Sequence, residues 1–259
     1  MKYLIVGGAG FIGFHLAKLL LQNKKNIVVI IDNFQRSSKD KSFSDLIKEK
    51  KLFFIKKNFE NINLSKIDKD FDYIFHLASI VGVKNVTNEP NKVVRQNIDL
   101  IYKIIEVANQ QKKLKKICFS STSEVYANSV NFGISKIPSS EKDLITVCPE
   151  TSDRDSYFLS KLICEKILIL SKKPVLILRL HNIYGPRMGY SHVIPEMFIK
   201  IRRNRNFISV FSHNHTRAFC YISDAIDQIK FLTHKRSAKN KIFNIGNDQE
   251  EIKIVDLVK

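Results

Sequence analysis

The first 32 residues hold the feature that most limits the fold, a glycine-rich turn between an apolar segment and a helix. Gly7, Gly10 and Gly13 follow the apolar segment YLIV at a GxxGxxG spacing and open a predicted helix from Phe11 to Gln22. Glycine suits these positions because the backbone turns tightly and its N–H groups at the helix amino end can approach a pyrophosphate. The turn therefore predicts a dinucleotide site.

The end of the second apolar segment bears on which dinucleotide is bound. The segment IVVIID ends at Asp32, 19 residues beyond Gly13. A carboxylate at this place can accept hydrogen bonds from both ribose hydroxyls of NAD, and it would repel the 2′-phosphate of NADP. Arg36 keeps NADP open as an alternative, because a guanidinium can pair with a phosphate. We expect NAD.

Strand-length apolar segments alternate with helical segments as far as about residue 180. The clearest helices are expected around 93–110 and 157–171, with strands such as KICFSS and VLILRL between and after them. Parallel neighbours need crossover helices, so this alternation predicts an α/β fold with a doubly wound parallel sheet, the Rossmann type. Residues 1–180 are expected to form the NAD-binding domain.

After about residue 181 the pattern becomes irregular. Pro186, Gly189 and Pro195 interrupt it before a predicted helix near Val193 to Asn204. We expect residues 181–259 to form a smaller substrate-binding lobe, interleaved with the last strands of the sheet. The final run NIGNDQEEIKIVDLVK is expected to enter the first two turns of a helix.

The chain is strongly basic, with 43 Lys and Arg against 25 Asp and Glu and a formal net charge of +18. Nucleic-acid binding would favour basic residues gathered on one face, whereas here lysines occur along nearly the whole chain, often as pairs such as Lys24-Lys25. We therefore expect a solvated lysine surface and no nucleic-acid partner. Such a surface is compatible with an anionic pyrophosphate substrate.

Apolar segments of this chain are too short to span a bilayer, and the amino terminus enters a strand without the features of a signal peptide. We expect a cytoplasmic protein that does not bind membranes. Four dispersed cysteines, with no CxxC pair and no histidine at zinc-site spacing, are expected to be buried reduced thiols. No metal site is expected.

Tyr157 and Lys161 form a YxxxK pair on a predicted helix, so both side chains project from the same face. An ammonium near a tyrosine hydroxyl favours the ionised form and lowers a pKa that is ordinarily about 10 towards that of a working general base. The pair alone is a weak pattern, because it also arises as an ordinary surface pair. Behind a nucleotide-binding glycine turn it predicts redox chemistry.

Nearly the whole chain resembles the extended short-chain dehydrogenase/reductase family, specifically its nucleotide-sugar epimerases, dehydratases and decarboxylases. The segments that carry the resemblance are GGAGFIG at 7–13, DNF at 32–34, FHLAS at 75–79, Asn97, SSTSEVYA at 120–127, YFLSK at 157–161, HNIYGPR at 181–187, TRAFCYISDA at 216–225 and FNIGN at 243–247. The resemblance implies an NAD-dependent enzyme that oxidises carbon 4 of a nucleotide sugar to a transient 4-keto intermediate, in surface-polysaccharide precursor synthesis. It also implies a homodimer.

The resemblance further implies roles for individual residues. Tyr157 would remove the proton of the sugar 4-hydroxyl, Lys161 would bind the nicotinamide ribose, and Thr122 would hydrogen-bond the same sugar oxygen. Asn182 and Arg217 would contact the substrate. Asn58 stands where the family usually has an Asp at the adenine, so we expect weaker binding there. The implied cofactor-binding residues are Gly7, Gly10, Phe11, Ile12, Gly13, Asp32, Asn33, Asn58, Leu77, Ala78, Asn97, Tyr157 and Lys161.

The second chemical step stays open at this point. The triplet Thr122-Ser123-Glu124 lacks the middle Asp usual in 4,6-dehydratases and, with Arg217, is similar to the UDP-glucuronate decarboxylases. Other segments, SIVGVKNV at 79–86 and GPRMGYSHVIPEM at 185–197, look more like general epimerase/dehydratase sequences. Ser123 and Glu124 are candidate catalytic residues in either case.

A non-catalytic protein that binds NAD or a nucleotide sugar is the remaining alternative. Family members usually continue for several tens of residues, so a truncated substrate lobe is expected.

Overall fold

The computed structural model describes residues 1–37, 39–80, 82–149, 152–153, 155–203, 209–210, 213–249 and 251–258. Its centre is a parallel seven-stranded sheet. The strands of all three sheets, in chain order, are β1 (Lys2–Val6), β2 (Ile27–Asp32), β3 (Leu52–Lys56), β4 (Tyr73–His76), β5 (Lys116–Thr122), β6 (Val175–Leu180), β7 (Ile183–Tyr184), β8 (Thr216–Ala218), β9 (Cys220–Tyr221), β10 (Lys241–Ile245) and β11 (Glu251–Lys253). The order across the central sheet is β10-β6-β5-β4-β1-β2-β3. The predicted doubly wound α/β fold is confirmed.

Helices cover both faces of this sheet. The helices of the described residues, in chain order, are α1 (Phe11–Leu21), α2 (Lys41–Leu46), α3 (Val83–Asn88), α4 (Pro90–Asn109), α5 (Ala127–Asn131), α6 (Asp155–Leu170), α7 (Val193–Arg203) and α8 (Ile222–His234). Because side chains alternate along a strand, Tyr3 and Ile5 of β1 join the apolar core under α1 and α8, while Leu4 and Val6 join the core under α4 and α6. Two separate cores therefore hold the sheet.

Strand order reverses beside β1, which has β2 on one side and β4 on the other. Open α/β sheets bind ligands in the crevice at the carboxyl ends of the strands where such a reversal occurs. The glycine turn after β1 and the segment after β4 both open onto this crevice. The topology therefore places the predicted cofactor residues at one edge of the sheet.

The carboxyl-terminal third contributes to two parts of the molecule. α8 packs on α1, and β10 pairs with β6 as the outermost strand of the central sheet, so residues beyond 181 complete the Rossmann layer. Between these segments, β7 pairs with β9 and β8 pairs with β11 in two small sheets. The division into a domain of residues 1–180 and a lobe of residues 181–259 remains a prediction.

One local prediction was wrong. The final run does not enter a helix: Glu251–Lys253 form β11, antiparallel to β8, and a single helical turn of the 3-10 type follows at Asp256–Val258. Pairing with a strand 35 residues away overrode the local pattern. The polar segment after β2 contains α2, which Asp40 caps by accepting the backbone N–H of Phe43 at 2.8 Å. Asn204, the predicted end of α7, lies outside the described residues.

Three of the four cysteines have the buried environment that the sequence predicts. Cys118, Cys164 and Cys220 are buried free thiols, whereas Cys148 is half-buried rather than buried. In the described ranges, no helix combines the length and apolar character needed to cross a bilayer. The same ranges contain no group of three or more His, Cys, Asp and Glu placed to hold a metal ion.

Candidate active site

A large cleft runs along the carboxyl ends of the central strands. Its volume is about 2570 Å³, well above the roughly 300–1,000 Å³ of a typical small-ligand pocket. It therefore has room for a dinucleotide and a second nucleotide-sized ligand together. The residues predicted from the sequence that line it are Gly7, Gly10, Phe11, Ile12, Gly13, Asp32, Asn33, Asn58, Leu77, Ala78, Thr122, Ser123, Glu124, Tyr157, Lys161, Asn182 and Arg217.

The glycine turn leaves main-chain donors facing this cleft. Gly10 is the N-cap of α1, and no side chain caps the first turn. The first N–H groups of a helix have no partner within the helix and carry its positive dipole, so they suit the pyrophosphate of a dinucleotide. A Cβ on Gly7, whose φ is +86°, would lie 2.5 Å from the backbone nitrogen of Ala78. The turn and the β4 segment thus pack too closely for any other residue.

Asp32 lies at the tip of β2 beside this turn. Its carboxylate accepts hydrogen bonds from the backbone N–H of Ala9 at 3.0 Å, the backbone N–H of Phe34 at 2.8 Å and the hydroxyl of Ser37 at 3.2 Å. An ionised carboxylate has about four acceptor positions, which leaves capacity for a ribose hydroxyl. The donors at α1 and this acceptor together fit the adenosine half of NAD.

Lys161 extends from α6 into the wall of the cleft. Its Nζ donates to the backbone oxygen of Ser120 at 2.7 Å and lies 4.8 Å from the ring centroid of Phe119. The same Nζ is 5.9 Å from the ring centroid of Tyr157, so the predicted pair is brought together. Burial lowers the pKa of Lys161 to about 8. The group is thus largely an ammonium at neutral pH, and it is poised to lose that proton in mildly alkaline solution.

Tyr157 has an environment that opposes ionisation in the absence of ligands. Burial and the negative charge of Glu124 raise the pKa of its phenol, while the charge of Arg36 and a hydrogen bond with Thr122 act in the opposite direction. The two groups that lower the pKa of Tyr157 are thus Arg36 and Thr122, and the YxxxK spacing does not reveal either of them. Tyr157, Thr122 and Glu124 meet at one point of the cleft.

Thr122 ends β5, and the next four residues, Ser123–Tyr126, form a 3-10 turn. The hydroxyl of Thr122 accepts the backbone N–H of Glu124 at 3.2 Å and so caps this turn. This geometry points Ser123 and Glu124 at the cleft beside Tyr157. The predicted triplet is therefore a structural unit.

The predicted substrate contacts, Asn182 and Arg217, line the same cleft. Asn182 has a left-handed backbone, with φ +32°, and its Nδ2 donates to the backbone oxygen of Ala218 at 3.2 Å. Arg217 in β8 is exposed, and its Nη1 donates to the backbone oxygen of Thr216 at 2.8 Å. Both residues therefore face the cleft from the carboxyl-terminal lobe.

Asn97 is the predicted cofactor residue that does not line the cleft. It is buried in α4, where its Oδ1 accepts the backbone N–H of Ile80 at 2.9 Å and its Nδ2 donates to Ser160 Oγ at 3.0 Å. Its amide therefore ties the segment after β4 to α6. We expect Asn97 to act on the cleft through Ile80, which does line it.

Arg187 is a cleft residue that sequence reasoning did not single out. Its guanidinium forms an ion pair with Asp40, donates to the backbone oxygen of Ala9 at 3.1 Å and lies 4.2 Å from the ring centroid of Phe14. These contacts join the segment after β7 to the glycine turn. The segment HNIYGPR contains Arg187, but its ion-pair partner is 147 residues away, so spacing gave no signal.

The NAD dependent epimerase/dehydratase family model matches residues 3–246 of the chain. The chain belongs to this family. The UDP-N-acetyl-α-D-glucosaminuronate decarboxylase of Bacillus cytotoxicus is 33% identical over 264 residues, which cover 96% of this chain and 76% of that protein. An uncharacterized UDP-glucose epimerase of Bacillus subtilis is 30% identical and is covered over 81% of its length, against 100% of this chain.

Solved structures give the same assignment. The UDP-glucuronic acid 4-epimerase of Bacillus cereus, in complex with UDP-glucuronic acid and NAD, superposes with a TM-score of 0.84 at 30% identity, covering 99% of this chain and 80% of that one. This epimerase/dehydratase is therefore an NAD-dependent enzyme that acts on a nucleotide sugar. The predictions of the family, the cofactor and an enzymatic activity are confirmed.

His76 of this epimerase/dehydratase gives a prediction about acid stability. The ring is buried in β4 and stacks on Phe119, with 5.6 Å between ring centroids. Its Nδ1 has no hydrogen-bond partner within the described residues. Burial, followed by the charge of Lys161, lowers the pKa of His76 to about 3. The folded protein thus excludes a proton that the unfolded chain accepts near pH 6.5.

A group with a lowered folded-state pKa stabilises fully above its unfolded pKa, and this stability is lost as the pH falls towards the folded value. Between pH 6.5 and 4 we expect His76 to remove about 3 kcal/mol from the free energy of unfolding. Urea unfolding across this range, compared with His76→Leu, measures the difference. If both proteins lose stability in parallel, His76 is not the group responsible.

Proposed function

We propose that the enzyme oxidises carbon 4 of a UDP-linked hexuronate, with Tyr157 as the base. The observation that carries this proposal is that Tyr157, Thr122 and Glu124 meet in the same cleft as the uncapped start of α1. The hexuronate is supported by relatives that are a UDP-N-acetyl-glucosaminuronate decarboxylase and a UDP-glucuronic acid 4-epimerase. Arg217, which lines the same cleft, would pair with an anionic group of the substrate.

In this proposal Tyr157 Oη takes the proton of the sugar 4-hydroxyl, and the Thr122 hydroxyl holds the same sugar oxygen. Lys161, fixed on the Ser120 carbonyl, binds the nicotinamide ribose and keeps a positive charge beside the tyrosine. Bound NAD would supply the acceptor, and later the donor, of the hydride at carbon 4, so that no other oxidant is needed. Tyr157 then returns its proton to the oxygen at carbon 4.

Decarboxylation is a second candidate for the step after oxidation. A 4-keto group can accept the electron pair released when the bond to the 6-carboxylate breaks, so that CO₂ leaves and a proton replaces it at carbon 5. The Glu124 carboxylate beside Tyr157 and the absence of an acid at Ser123 favour this outcome over loss of water. Re-reduction from the other face would instead give the 4-epimer.

The deciding experiment incubates the purified enzyme with UDP-glucuronate, UDP-N-acetylglucosaminuronate, UDP-glucose and UDP-N-acetylglucosamine, and then analyses the products by mass spectrometry and chromatography. Conversion of a uronate supports the proposal; loss of the mass of CO₂ indicates decarboxylation, and an unchanged mass with altered retention indicates epimerisation. If only the neutral sugars are converted, the uronate assignment is wrong. The homodimer, the cytoplasmic location and the link to surface polysaccharides remain predictions.

A further inference from the structure

A connected set of buried polar side chains lies directly beneath the catalytic residues. The Arg179 guanidinium donates to both carboxylate oxygens of Glu165, from Nε at 3.0 Å and from Nη2 at 2.7 Å. Its Nη1 donates to the hydroxyl of Tyr126 at 2.6 Å, and that hydroxyl donates to Asn244 Oδ1 at 3.0 Å. Ser121 completes the set by donating its hydroxyl to Glu165. We call this set the Glu165–Arg179–Tyr126 relay.

A buried ion pair of this kind adds little to the stability of the folded protein. The side chains of Arg179 and Glu165 are 3% and 1% exposed. Desolvating two charges costs several kcal/mol for each ion, and apolar residues of similar size often give equal or greater stability. A buried ion pair is therefore better explained by the geometry that it fixes. Bidentate pairing makes that geometry directional.

The relay touches every element that carries a proposed catalytic group. Glu165 lies one turn after Lys161 on α6, and Ser121 stands between Ser120, which holds Lys161, and Thr122. Tyr126 ends the 3-10 turn that carries Ser123 and Glu124. Arg179 therefore links the helix that bears the base to the turn that bears the carboxylate.

The far end of the relay reaches the wall of the cleft. Asn244 in β10 donates from Nδ2 to the backbone oxygen of Ser139 at 2.9 Å, and its backbone N–H donates to Glu141 Oε1 at 2.7 Å. Ser139 lines the cleft. One continuous path of hydrogen bonds thus joins this part of the cleft wall to the 3-10 turn Ser123–Tyr126, so a sugar bound there can affect the position of that turn.

We propose that the Glu165–Arg179–Tyr126 relay is a positioning element that fixes the Glu124 turn opposite Tyr157, so that the second chemical step follows the first without loss of the intermediate. The inference rests on the proposed oxidation at carbon 4. In the intact relay the 4-keto sugar is held against Thr122 and Glu124 until it reacts further. With the turn released, the sugar leaves and the cofactor stays reduced.

The test is Tyr126→Phe, which keeps the ring under the Arg179 guanidinium but removes the hydroxyl. The released 4-keto sugar, trapped with borodeuteride and counted by deuterium content, is compared with the normal product, and the reduced cofactor is followed by fluorescence. We expect the ratio of 4-keto sugar to product to rise about tenfold, while the rate of the first oxidation changes little. A uniform loss of activity with an unchanged ratio would overturn the inference.

Two further variants separate positioning from stability. The double variant E165L/R179M replaces the ion pair with apolar residues, and we expect it to fold with a raised 4-keto ratio. Lys116→Met is the matched control, because the buried Lys116 ammonium at the other end of β5 donates to the carbonyls of Leu232, Thr233 and Lys235. It should lower the melting temperature without changing the ratio.

If Tyr126→Phe fails to fold, the double variant alone decides: a normal ratio overturns the inference. An equal rise of the ratio in Lys116→Met also overturns it, because general loosening would then explain the effect. A wild-type enzyme that oxidises none of the four nucleotide sugars overturns the proposed function and this inference together. An active wild type with unaffected relay variants overturns the inference alone.

Discussion

A Tyr157→Phe variant is expected to bind NAD as the wild type does and to turn over its nucleotide sugar about a thousandfold more slowly. The phenylalanine ring keeps the packing of α6, but it cannot take the proton of the 4-hydroxyl, and positioned general bases contribute roughly 10²- to 10⁴-fold. Because burial raises the pKa of this phenol, its ionisation depends on the charges of the completed site. Steady-state rates and NAD titrations measure the two effects separately.

Tyr102→Phe is the matched control for this substitution. Tyr102 lies on α4 with 54% of its surface exposed. The substitution there removes the same hydroxyl group at a site outside the cleft. Its turnover should equal that of the wild type. A Tyr157→Phe enzyme that keeps more than about a tenth of wild-type turnover would remove Tyr157 as the base, since that loss is below the range for general bases.

The second large effect is expected at the glycine turn. In Gly13→Ala the new Cβ would lie 2.6 Å from the backbone oxygen of Gly7 and 2.6 Å from the Cα of Gly8. Backbone atoms cannot rotate away as a side chain does, so the turn and the start of α1 must separate. We expect NAD affinity to fall by about a hundredfold, because each lost hydrogen bond between a turn N–H and the charged pyrophosphate costs about 1.5–3 kcal/mol, and stability to fall by about 1–3 kcal/mol. Calorimetric titration with NAD measures the affinity.

Gly189→Ala serves as the control for Gly13→Ala. Its added Cβ would lie 3.5 Å from the nearest atom, in the His192 ring, which is an ordinary contact distance. NAD affinity should therefore change by less than about twofold, since surface substitutions usually cost under 0.5 kcal/mol. Should Gly13→Ala bind NAD as tightly as Gly189→Ala, close packing within the turn would not be what shapes the cofactor site.

Sequence alone could predict the parts of the site that depend on local spacing. The glycine turn, Asp32 and the Tyr157–Lys161 pair are each defined within a short segment whose period or position carries the information. The apolar strands could be predicted equally well, because both faces of the sheet are covered and residues on each face, such as Leu4 and Ile30, are buried.

The remainder depends on partners that are distant in the sequence. Arg187 meets Asp40 across 147 residues, and Tyr126 meets Asn244 across 118. No periodicity links such pairs, so neither the contacts of Arg187 nor the relay could be inferred. The strand at 251–253 was missed for the same reason, since its partner β8 determines its conformation.

The position of β10 at the edge of the central sheet has a consequence for how the protein is made. During synthesis the glycine turn and the first six strands of the sheet leave the ribosome well before Lys241–Ile245 and before α8, which covers α1. Until those residues emerge, β6 presents an unpaired edge and the core under α1 stays open to solvent. The nascent chain therefore completes its cofactor-binding layer only after most of the segment beyond residue 181 has been translated, and until then these apolar surfaces stay exposed.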